Sequence, residues 1–216
     1  MSDLVLPPHA IRAPAVGALA LAGALWVGAL QAQRGSPPAI EARRSATAQA
    51  TADFETRVEA YANLHRKLEA TLPALPKGAT PQQVDRDQRA IEQLVVQARR
   101  DAKAGDIFTP GMQKVVRALL ADEFKGPRGV EEHEIVHDEP HPVHPAINKR
   151  YPDDVPLSSM PPRVLARLPK LPDELEYRFV NDDLILMDVH AHIIVDYVTD
   201  AVPTHPKSAP RGRAPR

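Results

Sequence analysis

Between residues 54 and 124 the apolar positions recur every three or four residues. Phe54, Val58, Tyr61, Leu64, Leu68 and Leu72 form the first set, with Glu55, Arg57, Glu59, Arg66, Lys67 and Glu69 around them. That period lays one apolar stripe along a helix, and Pro73 and Pro76 end it. Thr80-Pro81 marks the next start, with Thr as N-cap and Pro at the first helical position. Val84, Ile91, Leu94, Val95, Ala98 and Ala102 give the second stripe, which Gly105 stops. Thr109-Pro110 opens a third helix carrying Met112, Val115, Val116, Leu119, Leu120 and Phe124, and Gly126-Pro127 closes it. One-sided stripes joined by short loops predict a helical hairpin and a shorter third helix with their apolar faces buried together.

The pattern changes after Leu171. Glu176-Tyr-Arg-Phe-Val180 alternates, with Tyr177 and Phe179 on one side and Glu176, Arg178 and Val180 on the other, the signature of a half-buried strand. Asn181-Asp182-Asp183 supplies turn residues. Leu184–Asp188 makes a second strand, His190-Ala191-His192 a second turn, and Ile193–Val198 a third strand. The expected module is a three-stranded antiparallel meander, which needs a helix or partner on its apolar face to be stable.

Upstream, Ala13–Leu30 is an uncharged run rich in Ala and Gly. Its length and moderate hydrophobicity fit either a cleavable export signal ending near Ala32 or an N-terminal membrane anchor; both place the remainder outside the cytoplasm. The fold class expected is α+β, in six parts. Residues 1–32 are a signal or anchor, 33–45 a polar linker with Pro37 and Pro38, and 46–126 a three-helix unit. Residues 127–172 hold a His-rich loop and a proline-rich strap with a short helix at Pro162–Leu168. Residues 173–203 are the β module and 204–216 a disordered basic tail.

Composition narrows the function. A net charge of −1 leaves no dominant basic face and argues against nucleic-acid binding. No cysteine is present, so disulfides, thiolate metal sites and cysteine nucleophiles are ruled out. The 23 prolines concentrate between about residue 140 and 172 and at both ends, giving an extended strap.

Two clusters carry candidate metal chemistry. In Glu131–His144, the residues His133, His137, His141 and His144 stand among five carboxylates, a donor set suited to Zn²⁺ or Ni²⁺. His133-Glu-Ile-Val-His137 also fits His-Glu-x-x-His. In a zinc hydrolase this would make the histidines ligands and Glu134 the general base, with a third ligand from His141, His144, Glu139 or the β module. In the β module, Asp188, His190 and His192 would share one face of an extended chain, whereas in a turn between strands the imidazoles would be hydrogen-bonded or solvated. Ser158 and Ser159 near Asp153 and Asp154 lack a Gly-x-Ser-x-Gly elbow, so no catalytic residue is assigned. Arg99-Arg100 and Asp106 read as C-terminal dipole compensation and a capping turn.

Gly105-Asp-Ile-Phe-Thr-Pro110, Tyr151-Pro-Asp-Asp-Val-Pro-Leu-Ser-Ser-Met-Pro-Pro162, Leu168–Val180, Asp188-Val-His-Ala191 and Ile194-Val-Asp-Tyr197 carry a resemblance. Over about Asp53 to Pro203 the chain resembles a family of uncharacterised exported proteins of Gram-negative soil bacteria, for which the resemblance implies export and no assigned activity. The β module is also loosely similar to that of RcnB-type periplasmic proteins of nickel and cobalt homeostasis. Three readings follow. The first is a non-enzymatic envelope module that binds another envelope protein or a cell-wall component. The second is a periplasmic divalent-metal accessory protein, and the third a zinc-dependent hydrolase.

Overall fold

A computed structural model describes residues 38–136 and 143–203, all within the compact unit Ser36–Arg216. The apolar segment 13–30, His137, His141 and the basic tail lie outside the described residues. Among the described residues, five helices and three strands follow in order: α1 Pro38–Glu69, α2 Pro81–Ala98, α3 Pro110–Phe124, α4 Gly129–Val136, α5 Pro162–Arg167, β1 Leu175–Val180, β2 Asp183–Asp188 and β3 Ile193–Val198. The fold is α+β. Among the described residues, no helix is long and apolar enough to cross a membrane.

Both Thr-Pro starts form as the sequence predicts. Thr80 Oγ1 accepts from the Gln83 amide at 3.3 Å and Gln83 Oε1 from the Thr80 amide at 2.7 Å, a reciprocal capping box. Thr109 caps the Met112 amide. The expected linker over 33–45 is corrected in part, because α1 already begins at Pro38. Pro is pre-set for the first helical position and Ala, Glu and Arg follow it. A second difference is α4, a helix inside the segment expected as a loop. Its first residue must be Gly: a Cβ on Gly129 would stand 1.8 Å from the Phe124 carbonyl oxygen.

Helix α1 packs against both α2 and α3. Its buried line runs Phe54, Val58, Tyr61 and His65, so the fourth inward position belongs to His65, while Leu64 is half-buried. From α2 come Ile91 and Val95, and from α3 Met112, Val116, Leu120 and Phe124. These meet one face of the sheet at Tyr177, Phe179, Leu184, Leu186, Ile193, Val195 and Val198. Phe54 and Phe108 stack with ring centroids 5.2 Å apart, and Phe124 meets Phe179 edge-on at 6.3 Å.

The sheet is the expected meander, β1-β2-β3, antiparallel throughout. Its second face is covered as well. Val143 and Tyr151 of the proline-rich strap pack on Val180, Ile185, Met187 and Ile194. The strap also pairs along β3, through Tyr151 N to His192 O and Ile194 N to Lys149 O, both 2.9 Å. At the other edge, Ser158 Oγ donates to the Phe179 carbonyl at 2.5 Å and accepts from its amide at 3.1 Å. That hydroxyl is therefore part of the sheet edge. A bulge between Leu186 and Met187 places one extra residue in β3. It lets Val195 and Asp196 both turn toward the helices, where Asp196 accepts the amides of Gly105, Ile107 and Phe108 at 2.7–3.0 Å.

Candidate metal centre

Asp188 closes β2 and organises the turn after it. Its Oδ1 accepts the amides of His190 and Ala191 at 2.9 and 2.7 Å, which curls the chain at once. His192 then takes a left-handed φ of 57°, and β3 begins. The turn breaks the extended geometry under which Asp188, His190 and His192 would share a face. His192 is directed instead toward the strap, its Nε2 3.7 Å from Asp153 and its ring edge-on to Tyr151. Burial, with Arg150 nearby, holds the His192 pKa below the ordinary imidazole value.

Asp188 Oδ2 reaches the other way, into α1. It accepts the Tyr61 hydroxyl at 2.6 Å and pairs with His65 Nδ1 at 2.6 Å. Asp188 and His65 are both buried, so the carboxylate is fully used by two amides, a phenol and an imidazole. Burial lowers the His65 pKa, but the hydrogen bond and charge of Asp188 outweigh it, and the value stands above that of an ordinary imidazole. Burial and the same carboxylate push the Tyr61 phenol well up. Arg99, its guanidinium 5.0 Å over the Tyr61 ring, ties α2 to the sheet through the Val195 carbonyl; burial lowers its pKa.

His65 and Glu69 lie one turn apart on α1, and His190 comes to them from the β2–β3 turn. The His190 Nε2 is 2.8 Å from Asp87 of α2, and its Nδ1 is 3.2 Å from Glu69 Oε1. His65 Nε2 stands 3.8 Å from Glu69 Oε2. Each imidazole thus has a carboxylate on its far nitrogen, Asp188 for His65 and Asp87 for His190. With the ring hydrogens on those nitrogens, the other two, His65 Nε2 and His190 Nδ1, both facing Glu69, are the ones that can take a metal. One ligand atom from each of His65, Glu69 and His190 lies within 4.8 Å of the other two. Tetrahedral ligands of Zn²⁺ stand about 3.4 Å apart, so the set closes on an ion by a modest contraction. Glu69, half exposed at the end of α1, can supply it.

The two described histidines of the Glu131–His144 segment, His133 and His144, have other surroundings. His133 Nε2 is 3.1 Å from the Pro203 carbonyl and its ring lies edge-on to Phe124. His144 is exposed. His137 and His141 lie outside the described residues, so the His-Glu-x-x-His element is described only from His133 to Val136. Arg100 is exposed beside Asp101, and Asp106 caps the Lys103 amide, consistent with a structural loop. Sequence reasoning reached Asp188 and His190 but missed His65, Glu69 and Asp87. The one local signal was the His65-x-x-x-Glu69 spacing, which puts both side chains on one helical face. No protein-family model matches the chain, and no curated protein or solved structure is detectably similar to it.

Proposed function

We propose that this is a divalent-metal-binding accessory protein of the cell envelope, with His65, Glu69 and His190 as ligands. The supporting observation is the pair of imidazoles each oriented by a carboxylate on the far nitrogen, Asp188 at 2.6 Å and Asp87 at 2.8 Å. Metal-binding histidines recur with such outer carboxylates, which set the tautomer and raise ligand basicity. Two imidazoles and a carboxylate suit Zn²⁺ or Ni²⁺. Export is supported by the uncharged Ala13–Leu30 segment.

Calorimetric titration of the full-length chain with Zn²⁺ and Ni²⁺ tests the reading. One ion per chain is expected to bind with a sub-micromolar Kd, and His190→Ala and Glu69→Gln are expected to weaken it at least tenfold. A His133→Ala/His144→Ala variant is expected to bind like the parent. If it alone loses the ion, the histidine-rich segment holds the metal and the assignment fails.

A second reading, an interaction module for another envelope protein or a cell-wall component, draws on α1. Its residues 38–49 are all exposed, about 18 Å of helix at 1.5 Å per residue. Crosslinking from a reactive group placed at Thr47 tests it. Specific capture of one envelope component is the expected result.

A further inference from the structure

His65, Glu69 and His190 line one pocket of about 310 Å³, together with Asp173, Glu174 and Val189. An ion held by the first three therefore has its remaining coordination directed to that pocket. Glu174 is fixed in the pocket wall at two points. Its carbonyl accepts the Val189 amide at 3.0 Å, next to His190, and its Oε1 accepts from Arg66 Nη1 at 2.7 Å. Arg66 is held in turn by Glu59 Oε1 at 2.7 Å and Asn63 Oδ1 at 3.1 Å. The second oxygen, Glu174 Oε2, is buried without a hydrogen-bond partner. A buried acceptor left without a donor is costly and calls for an explanation, such as a water, an ion or a ligand that supplies the hydrogen.

Glu174 does not belong to the group of ligand atoms that lie within 4.8 Å of one another. It lines the same pocket without joining them. Three protein ligands leave a zinc-type ion with an open position, whereas four close it. We infer that the fourth position holds an exchangeable oxygen ligand, and that Glu174 Oε2 accepts that ligand's hydrogen bond. The inference rests on the metal-binding reading above. The ligand class is a small oxygen donor that carries a hydrogen, such as water or a hydroxamate. A plain carboxylate is disfavoured, because it has no hydrogen to donate to Glu174 Oε2. Glu174 is a positioning residue in this scheme, and Arg66 keeps its carboxylate turned the right way.

The test uses the full-length chain loaded with Co²⁺, whose visible spectrum reports changes in coordination. Acetohydroxamate, a small oxygen chelator with an N–H to donate, is the probe. Its addition to the wild-type Co²⁺ protein is expected to change the spectrum saturably. Glu174→Gln is expected to keep the Co²⁺ affinity within about threefold and to weaken acetohydroxamate about tenfold, the loss of one hydrogen bond to a charged acceptor. Glu69→Gln weakens the metal itself. A wild-type spectrum that does not respond to acetohydroxamate overturns the open position without touching metal binding. So does a Glu174→Gln loss of Co²⁺ affinity as large as that of Glu69→Gln, since Glu174 would then be a ligand. Failure of the wild-type chain to bind Co²⁺ overturns the metal reading as well.

Discussion

His65 Nδ1 lies 2.6 Å from Asp188 Oδ2, across 123 residues of chain and with both side chains buried. The contact joins the last buried residue of α1, one turn before the helix ends at Glu69, to the end of β2. It also orients the ring so that His65 Nε2 faces Glu69, and the packing of helix on sheet and the candidate metal centre therefore depend on the same carboxylate.

Asp188→Asn tests that double role. Tyr61 and His65 share Oδ2 while the His190 and Ala191 amides share Oδ1; an Asn side chain offers one acceptor oxygen, so one of the two pairs loses its acceptor. The expected cost is about 2–4 kcal/mol in urea unfolding. Metal affinity is expected to fall about 10–100-fold through loss of the outer carboxylate. Full affinity in the variant would separate Asp188 from the site.

Asp196→Ala removes the acceptor of the Gly105, Ile107 and Phe108 amides, all held at 2.7–3.0 Å. Two of those amides, from Ile107 and Phe108, belong to buried residues. A loss of about 3 kcal/mol or more is expected. Hydrogen exchange at Ile107 and Phe108 is expected to accelerate more than at β1. Uniform acceleration across the chain would contradict a local role for the carboxylate.

Gly129→Ala is expected to be disruptive although it adds a single methyl group. The new Cβ meets the Phe124 carbonyl oxygen at 1.8 Å, and a backbone atom cannot swing aside as a side chain does. The α3–α4 junction has to open, at about 1–3 kcal/mol. Thermal melting measures it, and an unchanged midpoint would refute the close approach.

Glu132 provides a pH test. Its side chain is buried in α4 and Oε2 has no partner. Burial, with the Glu123 carboxylate adding to it, raises its pKa above the ordinary carboxyl value. An acid with a raised folded pKa binds its proton more tightly folded than unfolded. Its charge therefore destabilises the fold at neutral pH, and the penalty disappears as pH falls through the raised value. Glu132→Gln is expected to stabilise by up to about 1 kcal/mol at pH 7, roughly 2–4 °C in Tm. The gap is expected to close at a pH below the carboxyl range. A gap that widens on acidification would reverse the sign.

The local elements were written in the chain. Alternation through Glu176–Val180 and the turn-tolerant Asn181, which takes a left-handed φ of 54°, define the first hairpin. Thr80-Pro81 and Thr109-Pro110 start their helices where they stand, because caps act within one turn. The long-range relations were not so written. The inward choice of His65 over Leu64 depends on Asp188, which lies in a strand far along the chain. Covering of the sheet's second face by Tyr151 and Val143 depends on where the strap runs. The separation of His190 from His192 follows from the curl that Asp188 imposes on its own turn. Periodicity and capping are properties of neighbours in sequence and can be read there. A buried carboxylate that chooses its partners in three dimensions satisfies whatever donors packing brings to it, and only the folded chain decides which those are.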